Sequence, residues 1–83
     1  MYQVKCGHED GHRLNLHGTG PATCYDGMGN TKVLVNAIHD VCTVHAGTAR
    51  YWYAGGPEGG VLLQPDTCSE WYTHPITITG IQT

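Results

Sequence analysis

Cys6, Cys24, Cys42 and Cys68 are the residues of this 83-residue chain best suited to covalent chemistry. No two of them have the close C-x-x-C spacing of a zinc knuckle or a dithiol redox site. Four widely spaced cysteines in so short a chain read instead as two disulfides, which persist outside the reducing cytosol. A secreted protein is therefore expected. Three connectivities are open. Cys6 with Cys24 and Cys42 with Cys68 is preferred, because each bond then closes a separate half of the chain. Cysteines bonded in this way are not available as nucleophiles.

His8-Glu9-Asp10-Gly11-His12, with His17 beyond, is the densest run of metal-ligand types, and imidazole with carboxylate suits zinc or copper. Its glycines and its Glu-Asp pair read better as a solvated loop. Strand parity also separates the ligands, since His12 continues the face of Leu14 and Leu16 while His17 lies on the other. No metal and no cofactor is expected. Acid–base catalysis on RNA would need a positioned Glu, His and Arg. Arg50, Glu58, Glu70 and His39, His45 or His74 supply the types without a motif, and Ser69 has no nucleophile setting. A non-enzymatic protein is expected, with a small secreted ribonuclease as the least favoured alternative.

Tyr51-Trp52-Tyr53 and Trp71-Tyr72 hold five of the seven aromatic residues. An exposed aromatic face stacks on the apolar C–H face of a pyranose, so these residues are the candidates for glycan contact. Alternation sets Trp52 against its neighbours. The expectation is Trp52 inside, with Tyr51, Tyr53, Trp71 and Tyr72 as the ligand-binding set. Gly55-Gly56-Pro57-Glu58-Gly59-Gly60 lacks the Lys-Ser/Thr and the helix start of a phosphate loop. It reads as a hairpin whose tip, Gly56, Pro57 and Glu58, is the candidate contact for a protein partner.

These side chains need a scaffold, and the sequence offers strands. Nothing repeats at helical spacing, whereas short β-branched and aromatic runs alternate with Gly, Asp, Asn and Pro clusters. Strands are expected near residues 2–5, 13–17, 22–25, 31–36, 41–45, 49–54, 61–64 and 75–82. Eight strands at that spacing form an all-β sandwich or barrel, a single domain over residues 1–83. Leu14, Leu16, Val33, Val35, Ile76 and Ile78 are core candidates by alternation. Ile81 falls out of phase after Gly80, which predicts a bulge that turns it inward.

Charge excludes some partners. Four basic residues, Lys5, Arg13, Lys32 and Arg50, are scattered against seven acidic ones, which suits neither nucleic acid nor insertion into membranes. Six histidines would carry the formal charge from −3 to +3 if all were protonated. The apolar blocks are strand-sized, not membrane-spanning. The opening residues lack the basic and apolar regions of an export signal, so the chain reads as a mature form.

From Cys24 onward the sequence resembles a small βγ-crystallin-type domain, most closely the killer toxin-like secreted proteins of actinomycetes. The resemblance rests on Cys24-Tyr25 followed by Asp26-Gly27-Met28-Gly29, then the run from Thr31 to Val35 and Ala46-Gly47. It continues through Arg50-Tyr51-Trp52-Tyr53, Leu63-Gln64-Pro65 and the closing Pro75-Ile76-Thr77-Ile78-Thr79-Gly80-Ile81. It implies a Greek-key β-sandwich, a first hairpin tied by Cys6 and Cys24, and a toxin, antifungal or cell-wall-binding role. Ile38-His39-Asp40-Val41-Cys42-Thr43 lacks the calcium-binding pattern of many βγ-crystallins, so calcium is not implied. The expected function is a secreted, disulfide-stapled antimicrobial or toxin-like binding protein, or a subunit of one. Its partner would be a cell-surface glycan or a secreted protein, and the alternative is an inhibitor or assembly module acting through the 55–60 hairpin.

Overall fold

The computed structural model describes residues 2–6, 14–43 and 48–83. The described residues contain no helix and form seven strands: β1 (Tyr2–Val4), β2 (Leu14–Gly18), β3 (Thr23–Asp26), β4 (Asn30–Thr43), β5 (Ala49–Tyr53), β6 (Val61–Leu63) and β7 (Ile76–Gln82). All pair antiparallel in one sheet, in the order β1-β3-β2-β4-β7-β5-β6. The all-β expectation and the preferred cysteine pairing are both met, with Cys6–Cys24 and Cys42–Cys68 bonded.

The expected strands at 31–36 and 41–45 are one element, β4, and its length organises the molecule. Its first part, up to Ile38, pairs with β7, while its last part, from Ile38 to Thr43, pairs with β2. The joint lies at Ala37, whose φ of 61° is left-handed. Side-chain phase slips there. Thr31, Val33 and Val35 are turned inward before the joint and Ile38 directly after it, and a second register shift against β2, between Ile38 and Asp40, brings Val41 inward in turn. A one-residue slip of this kind is a β-bulge, which bends the strand without ending the ladder. Gly18 makes the bend possible, because a methyl group there would stand 1.9 Å from the Ala37 carbonyl oxygen. Thr19 N–H donates to that same oxygen at 3.2 Å.

The bend lets the sheet enclose a core. Leu14, Leu16, Tyr25, Ile38 and Val41 from one half meet Ala49, Tyr51, Leu63, Ile78 and Ile81 from the other in a single buried cluster. Ile78 and Ile81 are both fully buried, as the phase break at Gly80 predicts. There the ladder with β5 steps from Trp52 opposite Gly80 to Tyr53 opposite Ile78.

Residues 64–75 form no strand, yet they strap the exposed edge of β4. Thr43 N–H donates to Thr67 O at 2.8 Å, Ser69 N–H to Val41 O at 2.8 Å and Tyr72 N–H to His39 O at 2.8 Å. Thr43 Oγ1 adds bonds to Gln64 O, Thr67 N and Thr67 O, and Cys42–Cys68 fixes the strap covalently. The two cystines lie in one cross-strand row, because Asn15 faces Cys24 on one side and Cys42 on the other.

Candidate functional site

The strap carries the most exposed tryptophan or tyrosine among the described residues. Trp71 is 63% exposed, and its indole lies parallel to the His39 ring, with centroids 4.6 Å apart and planes within 1°. His39 is held from below: its Nδ1–H donates to Tyr72 O at 2.7 Å, while Tyr72 N–H donates to His39 O. A carbonyl only accepts, so the neutral imidazole carries its proton on Nδ1 and leaves Nε2 as the acceptor. Two reciprocal backbone-anchored bonds thus fix one face of the Trp71 stack, and the other face of the indole looks outward.

Tyr72 turns the opposite way. Its hydroxyl meets the Tyr51 hydroxyl at 2.6 Å, and its ring tilts against Tyr53 with centroids 5.3 Å apart. Burial first, then the hydrogen bond to Tyr51 and the nearby Tyr51 and Tyr53 phenols, push the Tyr72 phenol well above the usual tyrosine range. Tyr72 is therefore a neutral brace that ties the strap to the core. Burial likewise raises the phenol of Tyr25.

The expected ligand-binding set divides here. Trp71 lies on the surface and Tyr72 and Tyr53 are half-buried against the core, whereas Tyr51 is 0% exposed and touches no solvent. Tyr51 as a contact residue is thus corrected, together with Trp52 as the inward residue. Ala49 and Tyr51 share the inner face of β5, which leaves Arg50 and Trp52 on the outer one. Arg50 was the available signal, since a charged residue two positions before Trp52 marks the solvent side.

Turned outward, Trp52 walls an open cleft of about 550 Å³ lined by Asn30, Thr31, Lys32, Trp52, Thr79, Gly80 and Ile81. Its Nε1–H donates to Glu58 O at 3.1 Å, so the 55–60 hairpin sets the indole's orientation. The same hairpin is closed by Gly56 N–H to Tyr53 O and Gly60 N–H to Pro57 O, both at 3.0 Å, and by Arg50 Nη1 to Gly59 O at 2.8 Å. Pro57 and Glu58 are exposed at its tip, while Gly56 lies against the Tyr53 ring.

The types considered for RNA cleavage are distributed among these structures. Arg50 and Glu58 belong to the hairpin, His39 belongs to the Trp71 stack, and His45 lies outside the described residues. His8, Glu9, Asp10 and His12 of the expected loop also lie outside them. His17 sits on the outer face of β2, opposite Asp40, with Nδ1 3.0 Å from Asp40 Oδ1. Comparison with protein-family profiles, with curated proteins and with solved structures finds no match to this chain.

Proposed function

We propose that this chain is a secreted binding domain of βγ-crystallin type, an antimicrobial or killer toxin-like factor or a subunit of one, that recognises a cell-surface glycan through Trp71. The observation that carries the reading is the outward indole of Trp71, backed by a coplanar His39 and anchored by Tyr72. A ring already held in place loses little side-chain freedom when a sugar stacks on it, which favours binding. Two disulfides, with no free cysteine, support an oxidising setting outside the cell. The Greek-key assignment draws support from connections that skip neighbours: β4 lies beside β2, and β7 lies between β4 and β5.

A second reading is favoured by the hairpin, whose four backbone-directed bonds hold Pro57 and Glu58 at a fixed, exposed tip. A loop braced in this way suits insertion into a cleft of a secreted protein. One set of columns separates the two. Wild type should be retained on chitin, glucan or peptidoglycan, and Trp71→Ala should weaken retention by roughly tenfold or more, the equivalent of one lost stacking contact. Failure of the wild type on all three removes the glycan reading. Capture of a protein from the native extracellular fraction, lost in Glu58→Ala and kept in Trp71→Ala, would establish the second reading in its place.

A further inference from the structure

One group of metal-ligand types stands together among the described residues. His17, Asp40 and Cys42 each offer a donor atom, and the three lie within 4.8 Å of one another. They share the outer face of β2 and β4: His17 faces Asp40 across the ladder, and Cys42 is two residues along the same strand face. His17 Nδ1 is 3.0 Å from Asp40 Oδ1 and 3.7 Å from Cys42 Sγ, and Asp40 Oδ2 is 3.8 Å from that sulfur. Ligands around a tetrahedral zinc at its usual bond lengths are about 3.3–3.7 Å apart, so these separations already approximate a zinc shell. What prevents it is covalent. Cys42 Sγ is bonded to Cys68 and is not a thiolate.

We infer that His17, Asp40, Cys42 and Cys68 form a redox-gated zinc site, locked while the Cys42–Cys68 disulfide is intact and opened by its reduction. Cys68 is the exposed residue of the pair and Cys42 is only 6% exposed, so an external dithiol attacks at Cys68. One thiolate of the reductant forms a mixed disulfide with Cys68 and expels Cys42 as a thiolate beside His17. The second thiol then displaces Cys68 and leaves as the cyclic disulfide, having delivered two electrons and two protons. Zinc takes the place of the proton between His17 Nδ1, Asp40 and Cys42. The imidazole moves its proton to Nε2, the two thiols release theirs, and Cys68 supplies the fourth ligand. Two thiolates, an imidazole and a carboxylate are a donor set suited to zinc. Asn15 faces Cys42 across the ladder, and its buried Oδ1 has no partner among the described residues, which leaves an acceptor at the edge of the site.

Cys68→Ser, purified with Cys6–Cys24 intact in a His8→Ala/His12→Ala background, leaves Cys42 as a thiol and tests the site directly. Titration with Co²⁺ should give one bound ion with a thiolate-to-cobalt charge-transfer band, displaced by Zn²⁺ and absent from the oxidised parent. Adding His17→Ala or Asp40→Asn should weaken binding by more than about 100-fold, beyond the loss typical of an outer-shell partner. In parallel, wild type reduced by limiting dithiol at Cys42–Cys68 alone, with Cys6–Cys24 intact and the reductant then removed, should have its two thiols protected from alkylation by Zn²⁺, and His17→Ala should abolish that protection. A folded Cys68→Ser without the band, or a band unchanged by His17→Ala, overturns the assignment. If Cys68→Ser does not fold, the alkylation assay decides, and equal alkylation of wild type with and without Zn²⁺ overturns it. Glycan retention plays no part in either readout.

Discussion

Tyr51 and Tyr72 share a single hydrogen bond between hydroxyls, one fully buried and the other half-buried. Removing one partner leaves the other without a bond in a place water does not reach, whereas removing both leaves only an apolar contact. Tyr72→Phe is thus expected to destabilise the fold by about 1–3 kcal/mol in urea unfolding, and Tyr51→Phe/Tyr72→Phe by less than the sum of the two single changes. A double variant that loses the full sum would show that the bond is unimportant. The same pair sets a response to alkali. Burial and Tyr51 hold the Tyr72 phenol above its usual range, so above about pH 10 the unfolded chain ionises this group while the folded chain keeps its proton. The folded state then binds more protons, and its stability falls as pH rises. Tyr72→Phe should make the unfolding midpoint less dependent on pH above about 10, and an unchanged slope would contradict the assignment.

At the scale of elements, the bulge where β4 bends gives the molecule two half-sheets from one strand. Gly18 and Ala37 meet there, and they should respond in opposite directions. Gly18→Ala places a methyl group 1.9 Å from the Ala37 carbonyl oxygen, which the backbone must move to relieve. A loss of about 3 kcal/mol or more is expected, with the β2–β4 ladder disturbed. Ala37→Gly relieves a left-handed conformation that costs an L-residue about 1–2 kcal/mol, offset by about 0.4–1 kcal/mol of extra freedom in the unfolded chain. Thermal unfolding should therefore find it neutral or slightly stabilised, and a large loss would mean that the bulge does not sit at Ala37. This element also marks where sequence reasoning succeeds and where it stops. Alternation identifies Leu14, Leu16, Ile78 and the inward return of Ile81, because a two-residue period and one glycine suffice. It carries Val33 and Val35 inward but is silent on residues 37–40, where the register shifts, so one strand reads as two. Parity set Trp52 against Tyr51 correctly and left the choice of face to burial, which Ala49 decides. The strap at 64–75 and the Trp71–His39 stack escape the sequence altogether. Their bonds run to the backbone of β4 over long separations, through residues such as Thr67 and Ser69 that carry no local pattern.

For the molecule as a whole, the two disulfides are similar in entropic effect and different in what they hold. Their separations of 18 and 26 residues give each about 3 kcal/mol by loop closure, a large fraction of the 5–15 kcal/mol typical of a folded domain. Cys6→Ala/Cys24→Ala and Cys42→Ala/Cys68→Ala should thus lower stability by comparable amounts, and reduction of both bonds should unfold the chain at body temperature. Their local effects diverge. Cys6–Cys24 links the segment after β1 to β3, on the far side of the sheet order from β7, β5 and β6. Cys42–Cys68 fastens the strap that carries Trp71 and Tyr72, so without it the segment is left to the non-covalent bonds at Thr43, Val41 and His39 and to the Tyr72 contacts with Tyr51 and Tyr53. In a Trp52→Phe background, where Trp71 is the remaining indole, loss of Cys42–Cys68 should shift and broaden the tryptophan emission and raise its quenching by acrylamide under conditions where the chain is still folded. Loss of Cys6–Cys24 should leave both unchanged. Equal emission changes in the two variants would show that the Trp71 surface depends on global stability alone and that the strap does not position it.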